Sequence, residues 1–280
     1  MQQPMVVSLV KILVTIAVVY LAIVLLYFIF QRHVIYYPHK IDESTALSQA
    51  ESRGLSPWRN EANELVGWKH ESESESKRLL VFHGNAGNAL MRDYFVQLFR
   101  TMNPDWSVYL FEYPGYGARA GSPGEDEFVA AAIEAFDSLN QGDSTPDTYL
   151  LGESLGSAVA ARLASSRPDS VSGLLLITPF NRMSDMGRYH FPWLPIRPLL
   201  RDQYDSVQAL ENYEGPVVIV TAEQDQVVPP QFGRKLYDAY SGPKHYFQLN
   251  NSGHNNIDYH PQNPVWQELV SHLTHSAPAA

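Results

Sequence analysis

The sequence predicts an α/β architecture, a mainly parallel central sheet with helices on both faces, preceded by one long apolar helix. Three features carry that expectation. From residue 78 onward, short apolar runs alternate with stretches of helical spacing. A Gly-x-Ser-x-Gly pentad, Gly152 to Gly156, separates a strand-like run from a run of small residues. Nineteen uncharged, mostly apolar residues, Ile12 to Phe30, stand near the N-terminus.

Charge divides the chain in two. Residues 1–40 hold Lys11, Arg32 and Lys40 and no acid, so all 30 acidic residues fall in residues 41–280. The net charge of −10 and the lack of basic clusters argue against a nucleic-acid partner. Hydrophobic residues make up 45%, enough for a substantial core. With no cysteine, disulfides, thiolate zinc sites and a thiol nucleophile are excluded.

At ~1.5 Å per residue, the run from Ile12 to Phe30 approaches the ~30 Å hydrocarbon thickness of a bilayer. Arg32, His33, Tyr36 and Tyr37 follow, residue types suited to a membrane interface. A signal peptide would show a shorter apolar core and a small-x-small cleavage site, which Tyr27 to Tyr37 lacks. A buried core helix of such uniformity has no place in a domain of this size. The expectation is a single-pass anchor within residues 1–40, spanning about 12–30, and a catalytic domain over 41–280. Lys11 on one side nearly balances Arg32 and Lys40 on the other, which leaves the membrane side of the domain open.

In the domain, residues 41–63 read as irregular. Glu64 to His70 reads as a strand, and the acidic Glu71 to Ser76 as a solvated hairpin turn. Arg78–Phe82, Ser107–Phe111, Thr148–Leu151, Leu174–Thr178, Pro216–Thr221 and His245–Leu249 read as strands. Helical spacing links Met91 to Phe99, Phe128 to Leu139, Ala158 to Ala164, Phe232 to Tyr240 and Val265 to Leu273. Asn181 to Asp205, rich in aromatics and prolines, interrupts the alternation as a lid-like insertion.

In parallel sheets of this kind the working residues lie beyond the carboxyl ends of the strands. Ser154 sits on the tight strand-to-helix turn that exposes a nucleophilic hydroxyl. It needs a base, and His254 stands in a Gly-containing loop after the last strand, with His260 as rival. The base needs an orienting carboxylate, and Asp225 follows the fifth of the strands that begin at Arg78, with Glu223 as rival. Two N–H donors are expected for an oxyanion: Leu155, beside the serine, and Asn85, in the loop His83-Gly-Asn-Ala-Gly-Asn88. His83 reads as a brace for that loop. Gly115-x-Gly117 lacks the helix start that a dinucleotide site requires, and neither a P-loop nor a metal-ligand cluster is visible. No cofactor is therefore expected.

Together HGNAGN, YPGYG, GESLGS, DQVVP and SGHNN resemble the α/β-hydrolase family over roughly residues 64–275. With the apolar helix, Tyr36-Tyr37-Pro38 and Tyr204-Asp205-Ser206, the chain is similar to a membrane-anchored subgroup of serine hydrolases that includes lipid hydrolases and protein depalmitoylases. The resemblance implies the α/β-hydrolase fold and a triad of Ser154, Asp225 and His254 with Asn85 and Leu155 as oxyanion donors. It also implies an acyl ester or thioester substrate presented at a bilayer. A serine peptidase, a perhydrolase or a non-catalytic membrane scaffold could be built on the same constellation.

Overall fold

The computed structural model describes residues 3–74, 76–141 and 146–275. It begins with α1 (Gln3–Ile35), whose stretch Val7–Ile35 is long and apolar enough to cross a membrane. The helix runs past Phe30, through Arg32 and His33, because no proline or glycine stops it before Pro38. The chain passes directly into β1 (Tyr37–Pro38), then α2 (Glu43–Ser52). The sequence reading of residues 41–63 as irregular is corrected by α2 and by β2 (Ser56–Arg59). Helix α2 is capped by Asp42, whose carboxylate accepts from the Thr45 N–H, and it buries only Ala46 and Ala50. An apolar stripe that narrow is invisible to periodicity.

Next come β3 (Leu65–His70), β4 (Lys77–Phe82), the two-residue β5 (Ala86–Gly87), α3 (Asp93–Met102) and β6 (Trp106–Phe111). They are followed by α4 (Glu125–Leu139), β7 (Asp147–Glu153), α5 (Leu155–Ser166) and β8 (Gly173–Ile177). The insertion holds α6 (Met183–His190) and the single turn α7 (Ile196–Leu199). Then α8 (Ser206–Leu210), β9 (Val217–Ala222), α9 (Pro230–Ala239), β10 (Lys244–Leu249) and α10 (Pro264–His275) complete the chain.

Eight strands form one sheet in the order β10-β9-β8-β7-β4-β6-β3-β2. From β10 to β6 every pairing is parallel, whereas β3 is antiparallel to both β6 and β2. This corrects the expected hairpin at residues 71–76: β3 and β4 are not partners, because β6 lies between them. The connection crosses over β6, and Ser72 N–H accordingly bonds Ser107 Oγ at 2.8 Å. Residue 75 lies outside the described residues.

Alternate residues of the central strands feed two cores, as a sheet covered on both faces requires. Leu80, Phe82, Leu174, Leu176, Val217 and Ile219 pack with α4, α5, α8 and α9. Leu79, Val81, Leu175, Ile177, Val218 and Val220 pack with α2, α3 and α10. Helix α5 is read correctly as a run of small residues, and those residues let it lie close on the sheet. A Cβ on Gly156 would strike the Phe82 carbonyl.

Phe128 of α4 ties the first core to the loop after β6. Its ring stacks on Tyr113 at 4.2 Å and meets Tyr36, just past α1, edge-on at 5.3 Å. Phe128→Ala should lower the unfolding free energy by about 3–5 kcal/mol. Chemical unfolding of the detergent-solubilised full chain measures this.

Candidate active site

Ser154 occupies the turn between β7 and α5 with φ 52° and ψ −115°. For a residue with a Cβ that conformation costs on the order of 1–3 kcal/mol and persists only when neighbours enforce it. They do: the Ser154 N–H donates to the Ile177 carbonyl at 2.8 Å, which fastens the turn to β8. Its two flanking glycines serve close approach. A Cβ on Gly152 would collide with the Ser157 backbone, as one on Gly156 would with β4. The serine is 8% exposed and opens onto a cavity of about 330 Å³.

Asp225 and His254, 29 residues apart, are brought together by the loops after β9 and β10. His254 Nδ1 donates to Asp225 Oδ2 at 2.7 Å. The second carboxylate oxygen accepts from the Val227 and Val228 N–H groups, each at 2.8 Å, and the Asp225 side chain is fully buried. That arrangement fixes the imidazole tautomer and leaves Nε2 as the unprotonated nitrogen. The His254 ring is close enough to Glu153, the residue before the serine, to influence its ionisation. Among the described residues no hydrogen bond joins Ser154 Oγ to that ring. In sites of this type the contact commonly tightens only around substrate. The rivals lie elsewhere. Glu223 accepts the Asn251 N–H at 2.9 Å and so braces the loop that carries His254. His260 is exposed and accepts the Gln262 N–H at 3.3 Å.

Asn85 and Leu155 line the same cavity as Ser154. Leu155 is the first residue of α5, so its N–H has no partner four residues back and points from the positive end of the helix. The Asn85 side chain is engaged through both its nitrogen and its oxygen. It donates to the Ile35 carbonyl at the end of α1, and accepts from Tyr116 Oη at 3.0 Å and the Tyr37 N–H at 3.3 Å. These bonds anchor the loop of Asn85 at the cavity onto which Ser154 opens. His83 braces the loop from beneath, with Nδ1 to the Gly84 carbonyl at 2.7 Å and Nε2 to Glu112 at 3.2 Å. Tyr113 Oη donates to the His83 carbonyl at 2.9 Å.

Sequence reasoning missed how Glu153 is accommodated beside the serine. Arg92 Nε meets Glu153 Oε2 at 2.7 Å, Tyr94 Oη donates to Oε1 at 3.3 Å, and the Gly84 N–H donates to Oε2 at 3.3 Å. Burial alone would raise the Glu153 carboxyl, but the Arg92 charge and these hydrogen bonds outweigh it and hold the group below its ordinary value. The acid is thus neutralised and clamps the loop of Asn85 to the serine turn. Arg92 carries no signal in a single sequence, because an exposed arginine on a helix start reads the same.

The rest of the cavity is mostly apolar and, apart from Tyr37, Phe180, Val227 and Val228, comes from two sources. One is the insertion, through residues such as Met183, Met186, Phe191 and Leu194. The other is α1 itself, through Tyr27, Phe28, Val34 and Ile35. Among the described residues no cluster of His, Asp and Glu could hold a metal ion.

Residues 77–204 match the family described as alpha/beta hydrolase fold. An uncharacterized protein of Mycobacterium tuberculosis is 35% identical over 230 residues, 80% of either chain. A lysophosphatidylserine lipase, ABHD12 of Macaca fascicularis, is 27% identical over 198 residues; these cover 64% of this chain and 50% of that lipase. Among solved structures, an alpha-beta hydrolase from Vibrio vulnificus superposes with a TM-score of 0.67 at 21% identity, over 87% of this chain and 92% of that one. A monoacylglycerol lipase from Paleococcus ferrophilus gives 0.53 at 21% identity, over 73% and 97%. At such identities the two structures speak for the fold.

Removing Arg92 isolates the effect of its ion pair. Arg92→Gln should cost about 3 kcal/mol near pH 7, because it strands a largely buried carboxylate. Since the folded Glu153 titrates below its unfolded value of ~4.3, the pair's contribution is complete above that pH and fades as pH falls through the folded value. Melting temperatures of both proteins between pH 3 and 8 should converge only on the acid side.

Proposed function

The chain belongs to the α/β-hydrolase family, and on that premise we propose that it is a membrane-anchored serine hydrolase. It cleaves carboxylic ester or thioester bonds of acyl lipids or acylated substrates through an acyl-serine intermediate. The observation that carries this reading is a strained serine turn that opens, with Asn85 and Leu155, onto one cavity also lined by Val227 and Val228, whose N–H groups hold the aspartate of an Asp225–His254 pair.

The roles follow from the chemistry. Ser154 Oγ attacks the acyl carbon while His254 Nε2 takes its proton. Asp225 stabilises the resulting imidazolium through the 2.7 Å bond to Nδ1. The tetrahedral oxyanion is held by the N–H groups of Leu155 and Asn85, the former reinforced by the α5 dipole. His254 then returns the proton to the leaving oxygen or sulfur. Water, deprotonated by the same ring, releases the acid and regenerates Ser154.

The apolar walls support an acyl chain as the group held against the serine. The membrane reading rests on α1: Leu9, Leu13, Ile16, Leu21, Leu25 and Ile29 are each more than half exposed, a continuous apolar surface that water does not tolerate. On this reading residues 1–40 form the anchor, residues 41–280 the catalytic domain, and 181–205 its cover. A relative whose name is lysophosphatidylserine lipase fits that substrate class.

Labelling with a fluorophosphonate probe tests the proposal. The wild type should label, and Ser154→Ala should not. Ester turnover should fall by at least ten-thousand-fold in Ser154→Ala and by about that factor in Asp225→Asn. A panel of acyl esters, acyl thioesters, lysophospholipids and peptide amides separates an esterase from a peptidase. An unlabelled wild type, or labelling that survives Ser154→Ala, refutes the mechanism.

A further inference from the structure

Helix α1 does more than stand beside the domain. Tyr20 Oη donates to the Trp193 carbonyl at 2.9 Å, and the Tyr27 ring meets Phe191 and Trp193 at 6.0 and 5.9 Å. Gln31, a buried amide, ties the helix to the insertion. Its Nε2 donates to the Phe28 carbonyl of α1 at 2.9 Å and to the Leu199 carbonyl at 3.1 Å, and Oε1 accepts the Arg201 N–H at 2.8 Å. Arg32 then pairs with Asp202 at 3.0 Å and Glu127 at 3.1 Å. One side of the helix, from Tyr20 to Arg32, is therefore seamed to the insertion.

The seam has a depth. The apolar span Val7–Ile35 has 29 residues, about 43 Å of helix against ~30 Å of hydrocarbon, so about 13 Å can project. Tyr20 lies 15 residues before Ile35, about 22 Å along the axis. The level at which Trp193 meets Tyr20 therefore falls within hydrocarbon. Trp193 and Tyr189 on the insertion are each about half exposed, as side chains bathed in lipid can be. The cavity between seam and serine is apolar, and its α1 wall is fixed to the site, since the Ile35 carbonyl accepts from Asn85.

We propose that the last turns of α1, with Tyr27, Phe28, Val34 and Ile35, form one wall of the acyl-chain site. The chain of a bilayer-resident ester reaches Ser154 laterally, along the seam between α1 and the insertion, without leaving the hydrocarbon. This rests on the serine-hydrolase reading above and adds a specificity role for the membrane helix.

The test uses the full chain in phosphatidylcholine nanodiscs and a dodecyl fluorophosphonate carrying a diazirine at the chain terminus. After reaction at Ser154 and illumination, the crosslinked peptide is identified by mass spectrometry. Crosslinks to residues 27–35 or 183–200 are expected. Crosslinks confined to other segments overturn the proposal. Val34→Trp, which fills the wall, should lower the ratio of kcat/KM for a sixteen-carbon over a four-carbon ester by about tenfold or more. An unchanged ratio in a variant that still labels also overturns it. Failure of the wild type to label at Ser154 removes the underlying hydrolase reading, and is thereby distinguished from a labelled serine whose chain lies elsewhere.

Discussion

The backbone at Ser154 is the constraint on which the site depends. A non-glycine residue at φ 52° is held there by β8 through the Ile177 carbonyl and by the crowding of β4, β7 and α5 around two glycines. The strain is local, but the forces that hold it are those of the whole parallel sheet, because β4, β7 and β8 are its central strands. The same turn starts α5 and so leaves the Leu155 N–H, next to the serine, without an intrahelical partner. On the proposed reading, nucleophile and oxyanion donor come from one piece of geometry, and the aspartate–histidine pair is added from the two strands on one side.

Around that turn, charged groups act as fasteners. Glu153 joins the serine turn to the loop of Asn85 through the Gly84 N–H and is balanced by Arg92. Glu112 joins His83 to the start of the following turn through the Ala89 N–H at 3.2 Å. Asn85 binds the Ile35 carbonyl at the end of α1, the Tyr37 N–H and Tyr116 through its side chain. His83 and Glu112 are buried, and Asn85, Arg92 and Glu153 partly so, with partners in place, the condition under which such networks rigidify a site rather than weaken it.

Most of the central architecture was legible in the sequence. Runs such as RLLVF and PVVIVT leave few alternatives when both faces of a strand are covered, and α4 shows its stripe openly. What escaped was set by contacts across the chain. Helix α2 and strand β2 bury only a few side chains, so no period marks them. The position of β3 outside β6 follows from sheet order, which adjacency in sequence misstates. At the site, residue types and spacing pointed to Ser154, Asp225, His254, Asn85 and Leu155, and their geometry is compatible with the roles expected of them. The partners of Glu153 and the contribution of α1 to the cavity were not legible, because Arg92 lies 61 residues from Glu153 and α1 ends more than a hundred residues before the serine.

Helix α1 enters β1 with one intervening residue, and Arg32 clamps its end to Asp202 and Glu127. No swivel separates the apolar rod from the body. A protein mounted in a bilayer by that rod would present its catalytic rim in a single pose and meet its substrates by two-dimensional diffusion. Turnover would then follow the mole fraction of substrate in the surrounding leaflet, and dilution of the vesicles in water would leave it unaltered.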